Sequence, residues 1–166
     1  MTFKILVSDG LSEAGLKLLA TAGEVTANPK ITPEELIAAL PEFDALVVRS
    51  RTKVNTKVIA AGTKLKVIGR AGVGVDNIDV QAATRRGIVV MNTPGGSSAT
   101  VAELTMALML GLARHVPQAT ASIKAGRWEK KRFEGHELCG KTLGLVGLGK
   151  IGAMVAERAL GLPKSY

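Results

Sequence analysis

Apolar residues along the first half of the chain fall into short runs separated by stretches in which they recur every three or four residues, the pattern of strands alternating with helices. Lys4 to Ser8 reads as a first strand, Asp9-Gly10 as a turn, and Ser12 as the start of a helix carrying Ala14, Leu16, Leu18 and Leu19 that ends by Gly23. Glu24 to Ala27 is a second short strand. Thr32-Pro33-Glu34-Glu35 then supplies an N-cap threonine, a proline at the first helical position and a capping-box glutamate ahead of Leu36 to Leu40. Asp44 to Val48 is too short for a helix and dense in valine, which predicts a strand covered on both faces. Asn55 to Ala61 predicts a helix closed by Gly62, Leu65 to Ile68 a fourth strand, Ile78 to Arg86 a helix closed by Gly87, and Ile88 to Met91 a fifth strand. Strands joined by helices run parallel with right-handed crossovers. Residues 1 to 95 are therefore expected to form an α/β fold, a three-layer sandwich on a parallel sheet.

The pattern changes at Asn92-Thr93-Pro94-Gly95-Gly96-Ser97-Ser98, a cluster of turn formers that marks the expected domain boundary, with residues 96 to 166 forming the second part. Val101 to Ala113 is apolar nearly all round, so this helix is expected to be buried on more than one side, as a packing or dimer helix. Pro117 ends or kinks the run, Gln118 to Ala125 can be helical again, and Gly126 to Gly140 is irregular and polar. The apolar run Leu143 to Val146 then predicts a strand, broken by Gly147-x-Gly149-x-x-Gly152 and followed by a helical segment, Ala153 to Leu160. Strand, tight glycine turn and helix start have a chemical use. The first glycine permits the turn, the second lets backbone approach a pyrophosphate, and the third lets helix and strand come close. A helix N-terminus adds free N–H groups and partial positive charge. Taken alone the motif is weak, since any glycine-rich turn can mimic it.

Composition narrows the picture in three ways. At 166 residues, 46% hydrophobic, the chain can bury a sizeable core, and no apolar run reaches the ~18 to 20 residues a membrane span needs. The N-terminus runs straight into a strand pattern, from which a cytoplasmic, non-membrane protein is expected. The single cysteine, Cys139, has no ligand cluster near it, so neither an internal disulfide nor a metal site is expected. The net charge of +8 is spread, +3 over residues 1 to 98 and +5 over residues 99 to 166, with one basic run, Lys130-Lys131-Arg132. Aromatics make up 3% of the residues, too few for base stacking, so a solvated loop is expected there and nucleic acid is not. A diffuse positive field instead favours an anionic small molecule.

Ligands of parallel α/β sheets sit beyond the carboxyl ends of the strands, which singles out two loops. After the third strand comes Arg49-Ser50-Arg51-Thr52; after the fourth comes Gly69-Arg70-Ala71-Gly72-Val73-Gly74-Val75-Asp76-Asn77. Arginine offers a bidentate fork to carboxylate or phosphate, and the glycines let backbone N–H groups turn toward a ligand. The plainer alternative is exposed strand-end arginines beside glycines that only permit a turn. Both loops fall at one predicted sheet edge, which favours the anion site. His115 and His136 have no carboxylate at a recognisable spacing and are read as structural or solvated.

Several of these motifs occur together in one order. Arg49-Ser50-x-Thr52, Gly69-Arg70-Ala71-Gly72-x-Gly74-x-Asp76-Asn77, Gly87-Ile88-x-Val90-x-Asn92-x-Pro94, Val101-Ala102-Glu103, Gly126-x-Trp128 and Gly140-Lys141-Thr142-Leu143-Gly144-x-x-Gly147-x-Gly149-x-Ile151-Gly152 resemble the D-isomer-specific 2-hydroxyacid dehydrogenases over nearly the whole chain. The resemblance implies a flavodoxin-like or Rossmann-like substrate domain followed by the start of a Rossmann NAD-binding domain. It implies that Arg49, Ser50, Arg70, Ala71 and Gly72 receive an anionic substrate, and that Val73, Gly147, Gly149, Lys150, Ile151 and Gly152 face the cofactor, NAD. A homodimer built through the long helix is also implied. The implied chemistry is hydride transfer from a substrate hydroxyl carbon, with a histidine and glutamate pair and an arginine that lie downstream in relatives and have no counterpart here. No catalytic residue is expected in this chain, which reads as a truncated form, inactive by itself. The alternative is a non-catalytic module that binds an anion or oligomerises.

Overall fold

A computed structural model describes residues 2–162, and the chain divides into two compact units, Met1–Gly96 and Ser97–Tyr166. In the first unit, strands β1 (Lys4–Val7), β2 (Glu24–Ala27), β3 (Ala45–Val48), β4 (Val67–Arg70) and β5 (Val89–Asn92) form one parallel sheet in the order β2-β1-β3-β4-β5. Helices α1 (Glu13–Ala20), α2 (Pro33–Ala39), α3 (Thr56–Ala61) and α4 (Val80–Arg85) make the crossovers. This is the expected α/β architecture, with the flavodoxin-like strand order.

Local chemistry fixes where each helix starts. The Ser12, Thr32, Asn55 and Asp79 side chains each accept a backbone N–H in the first turn of α1, α2, α3 and α4. At α2 the capping box is complete, with Glu35 accepting from the Thr32 amide in return. Two expected starts move by two residues, and the fourth strand runs on past Ile68 to Arg70. The fourth strand begins at Val67 rather than Leu65, because the Leu65 amide is turned back onto the Gly62 carbonyl to close α3. Helix α4 begins at Val80 rather than Ile78, because Ile78 forms an isolated parallel bridge with Val54. The Arg86 guanidinium ties α4 to α3 by donating to the Ile59, Ala60 and Gly62 carbonyls, the acceptors that a helix end leaves open.

Alternation along the strands divides the core. Leu6, Leu46, Val48 and Ile68 face α2, α3 and α4 and pack with Leu36, Leu40, Val58, Ile59, Ala82 and Ala83. Ile5, Val7 and Ala45 point the other way, against Leu16 and Leu19 of α1. Each buried Leu, Ile or Val among them contributes roughly 1.5–3 kcal/mol relative to exposure, the alanines less. The layer containing α1 is narrower than the sheet: Phe3, Ile5, Val67, Gly69 and Met91 line an open apolar hollow, and Met91 stays exposed.

Register brings the strand ends to one level. Val48 of β3 lies beside Arg70 of β4, which lies beside Asn92 of β5, while Val7 of β1 lies beside Val47. The segments after β1, β3, β4 and β5 therefore emerge along the same carboxyl edge.

The second unit contains α5 (Ser98–Ala113), α6 (Val116–Lys124), a 3₁₀ turn at Lys130–Phe133 and α7 (Lys150–Leu160). Helices α5 and α6 meet at 65°, at a break where His115 adopts a left-handed conformation with φ 52°. Pro117 is at the start of α6, where its missing N–H is harmless. Two expectations are corrected here. Among the described residues, helix α5 is not buried on several sides: Ala102, Met106 and Met109 pack with α7, and Leu104, Leu108 and Leu112 are exposed. Leu143 to Val146 is not a strand; the segment is irregular and exposed. An apolar run becomes a strand only when neighbours take its N–H and C=O groups, and the described residues supply none.

Candidate functional site

The carboxyl edge of the first unit is built around Asp9, which is 4% exposed. Its Oδ2 accepts the backbone N–H groups of Arg49 at 2.6 Å and Thr52 at 3.2 Å; its Oδ1 accepts the Thr52 hydroxyl at 2.7 Å and Arg51 Nε at 3.0 Å. Burial pushes the Asp9 carboxyl up, but the Thr52 hydroxyl, the Arg49 and Thr52 amides and the Arg51 charge together outweigh it and hold the group below the usual carboxylate range. The loop 49–52 is thus wound round a buried negative charge.

The two arginines of that loop have different tasks. Arg51 is used internally, bonding Asp9 and the Ser8 and Ile31 carbonyls. Arg49 has one side-chain bond among the described residues, from Nη1 to the Gly10 carbonyl at 3.3 Å, and the residue is exposed beside exposed Ser50. Most of its donor fork is open to an anion.

Arg70 ends β4, and its side chain is only 11% exposed. Its Nη1 meets Asp76 Oδ1 at 3.1 Å, while Arg70 Nε is buried without a hydrogen-bond partner among the described residues. The loop that follows is pinned at several points. Ala71 N–H donates to the Val48 carbonyl, Thr93 donates to the Gly72 carbonyl through both backbone and hydroxyl, and Asn92 Nδ2 donates to the Val73 carbonyl. A Cβ on Gly74 would lie 2.8 Å from Asp76 Oδ1 and 3.0 Å from Arg70 Nη1, so a side chain there would crowd the ion pair. At the far end of the loop, Asn77 Nδ2 donates to the Arg49 and Thr52 carbonyls, each at 2.7 Å, and its Oδ1 is also buried without a partner among the described residues. Arg49, Ser50, Arg70, Ala71 and Gly72 are therefore brought to one edge by paired strands and cross-loop bonds. Val73 belongs to the same loop and is exposed.

In the second unit, Gly147 takes φ 94°, a conformation that favours glycine, and Gly149 caps α7 without a side chain. A Cβ on Gly152 would fall 2.3 Å from the Gly147 carbonyl, whereas one on Gly149 would meet nothing within 4 Å. The third glycine lets the turn close on the helix, and the second leaves the approach to the helix end clear. Lys150, Ile151 and Gly152 open α7, where helix geometry leaves N–H groups without intrahelical acceptors. The turn is compatible with a pyrophosphate group, and the first amides and dipole of α7 suit its charge.

Asp9 and Asn77 are the residues sequence reasoning passed over as site components. Asp9 stood in a turn and Asn77 at the end of a glycine-rich loop; nothing in their local pattern shows that both reach back to loop 49–52. In the basic run, Glu129 pairs with Arg127 and Arg132, which offsets part of the local charge.

The model of the D-isomer specific 2-hydroxyacid dehydrogenase catalytic domain matches residues 5–160. The chain is 60% identical over 156 residues to D-3-phosphoglycerate dehydrogenase of Methanocaldococcus jannaschii, covering 94% of this chain and 30% of that relative. In structure it is similar to the TT0316 protein of Thermus thermophilus (TM-score 0.88, 36% identity, 96% of this chain and 53% of that one). It is also similar to NAD⁺-bound 3-phosphoglycerate dehydrogenase of Entamoeba histolytica (TM-score 0.76, 34% identity, 99% of this chain and 52% of that one). The chain thus spans under a third of the length of the curated relative and about half of each solved structure. With strand order, arginine loops and glycine turn in the same sequence, the chain belongs to the D-isomer specific 2-hydroxyacid dehydrogenase family.

Proposed function

We propose that the chain supplies the substrate-anion site and the pyrophosphate turn of an NAD-dependent oxidoreductase that converts 3-phospho-D-glycerate to 3-phosphooxypyruvate in serine biosynthesis. The observation that carries this reading is Arg70: a nearly buried guanidinium whose Nε has no partner among the described residues, on the same sheet edge as the open fork of Arg49. A buried, unmatched donor costs about 1–3 kcal/mol, and an anion would recover it. A phosphorylated hydroxy acid carries two anionic groups, so two separate arginines match it better than one. The similarity to phosphoglycerate dehydrogenases supports this choice among 2-hydroxy acids.

Gly147, Gly149, Lys150, Ile151 and Gly152 would hold the cofactor pyrophosphate, and Val73 is proposed as a cofactor residue of the first unit. NAD, when bound, supplies the hydride acceptor. The residues of this chain bind and orient: Arg49 and Arg70 fix the substrate's anionic groups, and backbone around Ala71 and Gly72 shapes the loop that carries Arg70. No acid or base is assigned to this chain, which by itself is expected to bind without turnover. The exposed apolar row on α5 supports a homodimer through that helix.

Titration of the 166-residue chain with 3-phospho-D-glycerate and, separately, with NADH tests the site. Arg70→Ala should weaken 3-phospho-D-glycerate binding about tenfold or more, the loss of a charge-assisted hydrogen-bonding group, and leave NADH affinity unchanged. Equal losses for both ligands, or no 3-phospho-D-glycerate binding by the unsubstituted chain, would remove the assignment.

A further inference from the structure

We propose that Asn77 and Asp9 are positioning residues that form a two-sided clamp on loop 49–52, with Asn77 transmitting the placement of the Arg70 loop to Arg49. The inference rests on the reading of Arg49 and Arg70 as substrate-anion ligands. Asp9 holds the loop by its N–H groups, taking those of Arg49 and Thr52 on a single carboxylate oxygen. Asn77 holds the same two residues by their carbonyls, through one amide nitrogen at 2.7 Å from each. Both peptide polarities of Arg49 and Thr52 are thereby fixed, although the loop has no helix or strand of its own.

The two halves of the clamp differ in where they come from. Asp9 follows β1 and provides a fixed anchor, buried and braced by Arg51 and Thr52. Asn77 is seven residues after Arg70, at the far end of the loop that begins there. That loop is fastened at its near end to the Val48 carbonyl, one residue before Arg49. Arg49 and Arg70 are thus joined twice, once through the backbone bond from Ala71 to Val48 and once through Asn77. A shift of either loop must strain or break a 2.7 Å bond, so the spacing of the Arg49 and Arg70 backbone positions is set before any ligand arrives. Preorganisation of this kind raises affinity by lowering the ordering cost of binding.

Asn77→Asp tests the clamp because it keeps the side-chain shape and removes the donor. Amide hydrogen exchange on the full chain should show protection of the Arg49 and Thr52 amides falling about tenfold or more while Ile5 to Val7 are unchanged; unchanged protection at Arg49 and Thr52 would overturn the proposal. In titrations with 3-phospho-D-glycerate, Asn77→Asp should weaken binding in the natural background and add little in an Arg49→Ala background. The same fold loss in both backgrounds would show that Asn77 does not act through Arg49. Asp79→Ala, which removes the α4 cap outside the clamp, should lower the Tm with affinity retained, separating positioning from general stability. Absence of 3-phospho-D-glycerate binding by the unsubstituted chain would overturn the substrate reading, and the exchange measurement would still decide the clamp.

Discussion

Asp9 shows how a single side chain can carry both stability and site geometry. Its carboxyl is held below the ordinary range, so its folded form binds a proton less readily than its unfolded form. A group of this kind stabilises the fold above its unfolded pKa, and the contribution is lost as pH falls through the lowered folded value. Asp9→Asn should therefore cost more stability at pH about 7 than at pH about 3, where the unfolded carboxyl is already largely protonated. Urea denaturation at both values measures the difference; an equal cost would show that shape rather than charge holds the loop. At this scale the sequence was only partly legible. Arg49 and Arg70 could be singled out because arginine after a parallel strand has a recognisable chemical use. Asp9 and Asn77 could not, because their partners lie 40 and 28 residues away at Arg49 and only the fold brings them into contact.

At the scale of elements, the helices with strong local signals formed close to where they were expected. Thr32 with Glu35 caps α2, and Asn55 with Gly62 brackets α3, because a cap bond is made within three residues and needs no distant partner. The long helix α5 was legible as a helix but not in its burial. Its composition is apolar all round, while α7 covers one stripe and leaves Leu104, Leu108 and Leu112 exposed at 56%, 64% and 75%. A row of this kind is costly in water, and the proposed homodimer would cover it. Sedimentation analysis should find a dimer for the chain and a monomer for Leu108→Asp, with the helical circular dichroism of both alike. A monomer for the unsubstituted chain would remove α5 as the dimer helix.

For the whole molecule, the two units differ in how their backbone groups are satisfied. In the first, β1, β3 and β4 are paired on both sides and their inward side chains are fully buried. In the second, the apolar residues Leu143 to Val146 make no ladder and are exposed. Hydrogen exchange should therefore be slow for Leu6, Leu46 and Ile68 and near the unprotected rate for Leu143 to Val146. Protection of Leu143 to Val146 equal to that of the first sheet would mean that the segment finds partners in solution. By itself the sequence determined the strand and helix alternation, most helix starts, the parallel α/β class and the arginine and glycine motifs. Each depends on residue periodicity, on contacts a few positions apart, or on a short pattern with known chemistry. Tertiary structure alone decided that the apolar run Leu143 to Val146 stayed out of a sheet, which face of α5 was covered, and that Asp9 and Asn77 hold loop 49–52 between them. Those outcomes depend on partners remote in sequence, and a hydrogen bond or a buried face exists only once the chain has brought its second half into place.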